Sequence, residues 1–214
     1  MTTVTDPANA DRDTPNILAS SASFKLGSSI FIAAPSSKVW EALTDTSTWP
    51  SWNSFIPRVT IRSQPDSPSD NDHNDTSTLS PVLQRGTRFT FHVRMDPDSS
   101  QAQAATDAHL VITEYVPPDA AKETMGRICW ASDFDAPGAM GPSLMSAERV
   151  HELKDVEVTE GGNVLRGTEV RNWECQVGWL VFVVKMMYGR KLHRNFELWV
   201  QDLKKYVEGL DSET

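Results

Sequence analysis

The feature that most constrains this chain is one long amphipathic helix at its C-terminal end. Across residues 178–209, Val181, Val184, Tyr188, Leu192, Phe196, Trp199, Leu203 and Val207 recur at three- and four-residue spacing. That spacing places them on one helical stripe, which must be buried against another element. What precedes the helix is mostly strand. Over residues 86–95, Phe89, Phe91, Val93 and Met95 alternate with Arg88, Thr90, His92 and Arg94, the two-residue period of a strand with one wet side. Residues 109–116 and 127–132 repeat the signature across the turn-prone PPDAAKETMG, and so predict another hairpin. Residues 147–158 and 163–175 form two longer strands joined through Gly161-Gly162, since glycine accepts the positive φ angles of tight hairpin turns.

The N-terminal half adds a strand followed by two short helices. Ile30, Phe31, Ile32 and Ala33 alternate as a strand that stops near Ala34, because Pro35 suits the first turn of a helix, where its missing N–H would be unpaired anyway. In PSSKVWEALTD, Val39, Trp40 and Leu43 share one helical stripe, and Ser36 or Ser37 can cap the free amides. Trp49-Pro50-Ser51-Trp52 breaks the chain and starts a second short helix or turn. A further strand is expected over residues 57–63. A run of strands closed by one helix is an α+β arrangement.

The pattern I-x-A-P-x-x-x-V-W-x-A-L-T-D…W-P-x-W-N, over residues 32–53, resembles the opening of the START-like, Bet v 1-like superfamily (SRPBCC), which includes polyketide cyclases and lipid carriers. The E-x-x-x-G at Glu174–Gly178, where the last strand hands over to the helix, is a second feature of that kind. The resemblance covers roughly residues 24–210. It implies a helix-grip fold, in which a curved antiparallel sheet of about seven strands wraps the long C-terminal helix and leaves a cavity between them. The segment over residues 64–81 departs from the family as a longer insertion.

Composition sets the remaining boundaries. A chain of 214 residues suits one domain with tails. Residues 1–23 are too polar to bury themselves and are expected as a flexible tail, residues 24–210 as the START-like domain, and residues 211–214 as a C-terminal tail. Residues 64–81, QPDSPSDNDHNDTSTLSP, are expected as a mobile loop. The formal charge of −9 argues against nucleic acid as a partner. No basic, apolar leader and no run of about 20 apolar residues is present, so a soluble cytoplasmic protein is expected. Cys129 and Cys175 read as buried free thiols. The acidic cluster around His73 lacks the glycine and terminal glutamate of a calcium loop, and neither a metal nor a cofactor is expected. Lys185, Arg190, Lys191, His193, Arg194, Lys204 and Lys205 give the last helix a basic face. Its simpler reading is solvation, and contact with an anionic membrane is the secondary one.

A cavity between sheet and helix would be mostly apolar with a few orienting polar groups. Strand face, loop position and helix stripe select Phe89, Phe91, Val93, Leu110, Ile112, Trp130, Met140, Met145, Val150, Met187, Tyr188 and Phe196 as ligand-binding candidates. The segment over residues 133–146, rich in Pro, Gly and Met, reads as a loop over that cavity. Cyclisation or dehydration would require a proton acceptor and support for a developing enolate. His151, Glu174, Arg149 and Tyr115 are the catalytic candidates, with His151 as base and Glu174 as its orienting carboxylate; Glu114 and Asn172 lie nearby in sequence pattern. Binding of a hydrophobic polyketide, isoprenoid or lipid-like molecule is therefore the leading expectation. A cofactor-free cyclase, dehydratase or isomerase is the alternative, and a chaperone-binding or regulatory module the third class.

Overall fold

In the computed structural model, which describes residues 6, 8–65, 79–99 and 106–212, the alternating segments pair into one open sheet. The elements run β1 (Phe24–Ile32), α1 (Ser36–Thr44), α2 (Trp49–Trp52), β2 (Arg58–Ser63), β3 (Arg88–Val93), β4 (Thr106–Val116), β5 (Gly126–Ser132), β6 (Ser146–Glu160), β7 (Asn163–Val177) and α3 (Val181–Ser212). The seven strands are ordered β1-β7-β6-β5-β4-β3-β2 and every neighbouring pair is antiparallel. One face carries α3, and the two short helices follow β1, so the architecture is the helix-grip fold.

The turn chemistry fixes the register of the longest hairpin. Gly161 and Gly162 have φ of 58° and 85°, the left-handed values of a two-residue hairpin turn. Glu160 is thereby placed opposite Asn163, and alternate residues of β6 and β7 then share a face down to Ser146 and Val177. Gly178 makes the handover from β7 to α3 at a φ of 114°, where a Cβ would press on the Leu144 carbonyl. Pro35 precedes α1 as expected, but the helix is capped from elsewhere. Asp155 of β6 accepts from the Ser36 amide at 3.0 Å and from its hydroxyl at 2.8 Å, supplying a partner to an orphan N–H of the first turn.

The core lies between α3 and the inner face of the sheet, and it is not uniform along the helix. Around the second half of α3, Trp199, Leu203 and Val207 are fully buried against Leu26, Ile32, Val39 and Leu43. The tryptophans of the opening motif close this end: Trp52 stacks on Tyr206 and meets Trp199 edge-on, Trp49 packs on Phe91, and Trp40 meets Tyr115. The first half of α3 faces a cavity instead, described below.

The outer face corrects an expectation. Of the residues expected as a flexible tail, 8–23 lie along β6 and β7 and are tied to them. Thr14 Oγ1 donates to Glu148 Oε2 at 2.6 Å, while Asn16 donates its backbone N–H and its Nδ2 to the same carboxylate at 2.7 Å each. Trp173 Nε1 donates to the Asp13 carbonyl at 3.1 Å, and Ile17 and Ala19 cover Cys175. The segment is polar, but donors of Thr14 and Asn16 converge on a buried carboxylate of the sheet and the Asp13 carbonyl meets an indole, which composition alone does not register. At the other end α3 continues through Ser212, so Asp211 and Ser212 of the expected C-terminal tail are helix. Of the expected loop over residues 64–81, 66–78 lie outside the described residues, as does the acidic cluster around His73. Gln64, at its base, is buried and holds Ser80 and Val82 through backbone bonds of 3.0 and 2.9 Å.

Candidate functional site

The first half of α3, the inner face of β3–β7 and the segment between β5 and β6 enclose a cavity of about 420 Å³. Its walls are mainly apolar because each element turns its apolar period inward. Phe91, Val93, Leu110 and Trp130 come from the strands, Val184, Tyr188, Leu192 and Phe196 from α3, and Phe134, Met140 and Met145 from the segment between β5 and β6. That segment covers the cavity, as its Pro, Gly and Met content predicted, and we call it the lid. It is fastened at its first residue. Asp133 accepts from Arg62 Nη2 at 2.6 Å and is also paired with Arg88, which reaches Asp135 at 2.9 Å. Burial raises the Asp133 carboxyl, but the hydrogen bonds from Arg62 and Arg88 outweigh it and hold the group below its ordinary value.

One end of the cavity is polar, built from Arg149, Glu174 and Gln176. Arg149 lies opposite Glu174 across the β6–β7 hairpin, and Gln176 follows Glu174 on the same face. Arg149 Nε stands 3.8 Å from Glu174 Oε2 and donates to Asn172 Oδ1 at 3.0 Å. Its guanidinium lies over the Phe196 ring, 3.7 Å from the centroid, a geometry that a planar, weakly hydrated cation tolerates in a dry site. Burial pushes the Arg149 pKa down to about 10, against the opposing pull of Glu174. The cation therefore persists at neutral pH. Gln176 Nε2 donates to Glu174 Oε1. Asn172 continues the network to Ser28, whose hydroxyl donates to the Phe196 carbonyl at 3.0 Å and so ties sheet to helix.

The structure thus brings together Phe91, Val93, Leu110, Trp130, Met140, Met145, Tyr188 and Phe196 from the expected ligand-binding set, with Arg149 and Glu174 beside them. Four candidates lie elsewhere. Phe89 and Ile112 are buried in the solid core. Val150 faces outward, packed with Cys129 and Trp173, because odd-numbered neighbours of β6 point in and even ones out. Met187 is 59% exposed, turned about 100° around α3 from Tyr188 and out of the cavity lining. Tyr115 packs on Trp40, remote from the polar end. Glu114 pairs with Arg127 on the outer face.

The expected His151–Glu174 couple also fails. Register places His151 opposite Asn172, and His151 is completely buried, its ring 4.3 Å from that of Trp130 and 4.7 Å from that of Trp199. Among the described residues neither ring nitrogen has a hydrogen-bond partner, and burial, with Arg149 adding to it, lowers its pKa well below the ordinary value. His151 stands behind the cavity wall as a neutral ring. Gln176, by contrast, was missed. Counting outward from Gly161-Gly162 as a two-residue turn would have paired Arg149 with Glu174 and put Gln176 next to them on the same face.

Comparison with known proteins gives three findings. Residues 23–152 match the model of a family described as polyketide cyclase / dehydrase and lipid transport. The oxopyrrolidines biosynthesis cluster protein O of Penicillium oxalicum is 40% identical over 200 residues, covering 93% of this chain and 94% of that protein. A crystal structure of a hypothetical protein from Helicobacter pylori superimposes with a TM-score of 0.63 at 13% identity, covering 97% of this chain and 99% of that one. The last likeness is one of fold alone.

Proposed function

We propose, from the premise that the chain belongs to the polyketide cyclase / dehydrase and lipid transport family, that it binds a hydrophobic small molecule between sheet and helix. The observation that carries this reading is the lidded cavity of about 420 Å³, mainly apolar along its walls, with Asp107 and His109 among the lining residues and Arg149, Glu174 and Gln176 gathered at one end. Its size lies within the roughly 300–1,000 Å³ of small-molecule sites, and an apolar enclosure with a few oriented polar groups is their usual chemistry. The name of the Penicillium relative places that protein in a biosynthesis cluster, which supports a guest that is a biosynthetic intermediate. Native mass spectrometry of the protein purified from its own host tests the reading. A retained small molecule is expected, and it should be absent from Ala108→Trp, which sets an indole into the cavity lumen. Equal retention by the two proteins would sink the proposal.

A second reading is turnover of the same guest. The Arg149–Glu174 pair favours it, because a carboxylate can take a proton from an acidic carbon while a buried guanidinium steadies the enolate oxygen that forms. Glu174→Gln keeps shape and removes the proton acceptor. Under this reading it lowers turnover of a candidate substrate by about a hundredfold or more while leaving binding within a few fold. Turnover unchanged in Glu174→Gln would exclude this role for the carboxylate.

A further inference from the structure

Arg149 and Gln176 are each only 3% exposed, and each carries one side-chain atom with no hydrogen-bond partner among the described residues: Arg149 Nη2 and Gln176 Oε1. Among the described residues that line the cavity, these are the buried side-chain atoms left in that state, one a donor and the other an acceptor. Glu174 explains the arrangement. It lies between them, near Arg149 Nε through one oxygen and accepting from Gln176 Nε2 through the other. An ionised carboxylate only accepts, so this bond fixes the Gln176 amide with its nitrogen toward Glu174 and its oxygen free. Arg149 spends Nε on Asn172, which leaves the far edge of the guanidinium. Residues 149 and 176 are diagonal neighbours across the hairpin, a relation that sets Cβ atoms about 7 Å apart, within reach of one small bridging group for two long side chains.

We infer that the polar end of the cavity receives a neutral amide head, a lactam or secondary amide whose carbonyl oxygen accepts from Arg149 and whose N–H donates to Gln176. This rests on the small-molecule binding proposed above and adds the chemical class of the guest. Three competing head groups fit worse. A carboxylate meets the Glu174 charge as well as that of Arg149, since the pair is formally neutral. A ketone or lactone supplies an acceptor and leaves the Gln176 oxygen unpaired in a dry site. A hydrocarbon relieves neither atom.

Displacement of the neutral dye Nile red from the full-length protein at neutral pH tests the assignment with two ligands of one shape. 5-Hexylpyrrolidin-2-one presents the lactam edge, and γ-decalactone replaces its N–H by oxygen. The lactam is expected to displace the dye at about one-tenth of the lactone concentration, a difference of about 1.4 kcal/mol. N-methylation of the lactam should abolish that advantage. In Gln176→Leu the ratio should fall to about one. Equal potency of lactam and lactone on the wild-type protein would overturn the inference and leave cavity binding standing. A tenfold ratio that survives in Gln176→Leu would overturn the role given to that residue. If neither Nile red nor the two ligands bind, the cavity reading itself falls. The wild-type comparison decides the matter even if the variant does not fold.

Discussion

His151 shows how a side chain suited to chemistry is used for packing. Its ring fills the space between Trp130 and Trp199, and burial together with Arg149 holds it neutral. A histidine whose folded pKa is depressed binds its proton more weakly when folded. Its contribution to stability is complete above the unfolded value of about 6.5 and declines, as pH falls below it, by about 1.4 kcal/mol per unit. Between pH 7 and pH 5 the wild-type protein should lose about 2 kcal/mol more unfolding free energy than His151→Met, measured by urea titration at both values. Identical losses would mean that the ring is already reached by solvent. The sequence pattern singles out His151 and Glu174 because both are polar residues of one hairpin. What decides their fate is pairing: Asn172 faces the histidine and Arg149 faces the glutamate. Both side chains lie on the inner face, but diagonally rather than opposite one another, and only a counted turn tells which residue each one meets.

At the level of elements, the lid and the N-terminal segment are held by the same device, a buried carboxylate shared among donors from distant parts of the chain. Asp133 collects Arg62 and Arg88, and Glu148 collects Thr14 and Asn16. Replacing Asp133 by Asn leaves two guanidiniums without their common acceptor. Amide exchange across residues 134–145 should then quicken roughly tenfold while β6 and β7 keep their protection. A uniform increase over the whole sheet would instead show that Asp133 supports the fold at large. The acid dependence runs in a different window from that of His151. The Asp133 carboxyl lies below its ordinary range, so the fastening is complete above about pH 4, near the unfolded value, and is lost as pH falls through the folded one. The lid was legible from its Pro, Gly and Met content, since such a stretch is too irregular for a strand and too apolar for full solvation. Its fastening was not, because Arg88 reads simply as the wet side of its strand and nothing in the strand over residues 57–63 singles out Arg62. The N-terminal segment was misread for a related reason: polar composition marks what a segment cannot bury by itself and is blind to a partner surface that supplies matching polar groups.

For the whole molecule, the container was readable where periodicity and turn chemistry agree. The stripe on α3, the alternation of β3 and the Gly-Gly turn each led to the observed element. The division of the interior was hidden. Trp199, Leu203 and Val207 belong to the same sequence stripe as Val184, Tyr188, Leu192 and Phe196, yet the former pack in the solid core while the latter line the cavity. The difference comes from what stands opposite, namely tryptophans of the opening motif at one end and a lid at the other. Among the described residues no helix is long and apolar enough to cross a membrane.

The pairing of β1 with β7 has a consequence for how the chain reaches this state. Phe24 lies opposite Gln176 and Ile32 opposite Thr168, so β1 finds its neighbour only after every other strand of the sheet has been made. Closing so long a loop is entropically costly, and contacts of this separation slow folding. During synthesis Leu26 and Ile32 remain apolar surface without a mate, which exposes the nascent chain to association with others and to capture by chaperones. The last hairpin therefore does more than frame the guest: its arrival is the step that commits β1 to its place in the sheet.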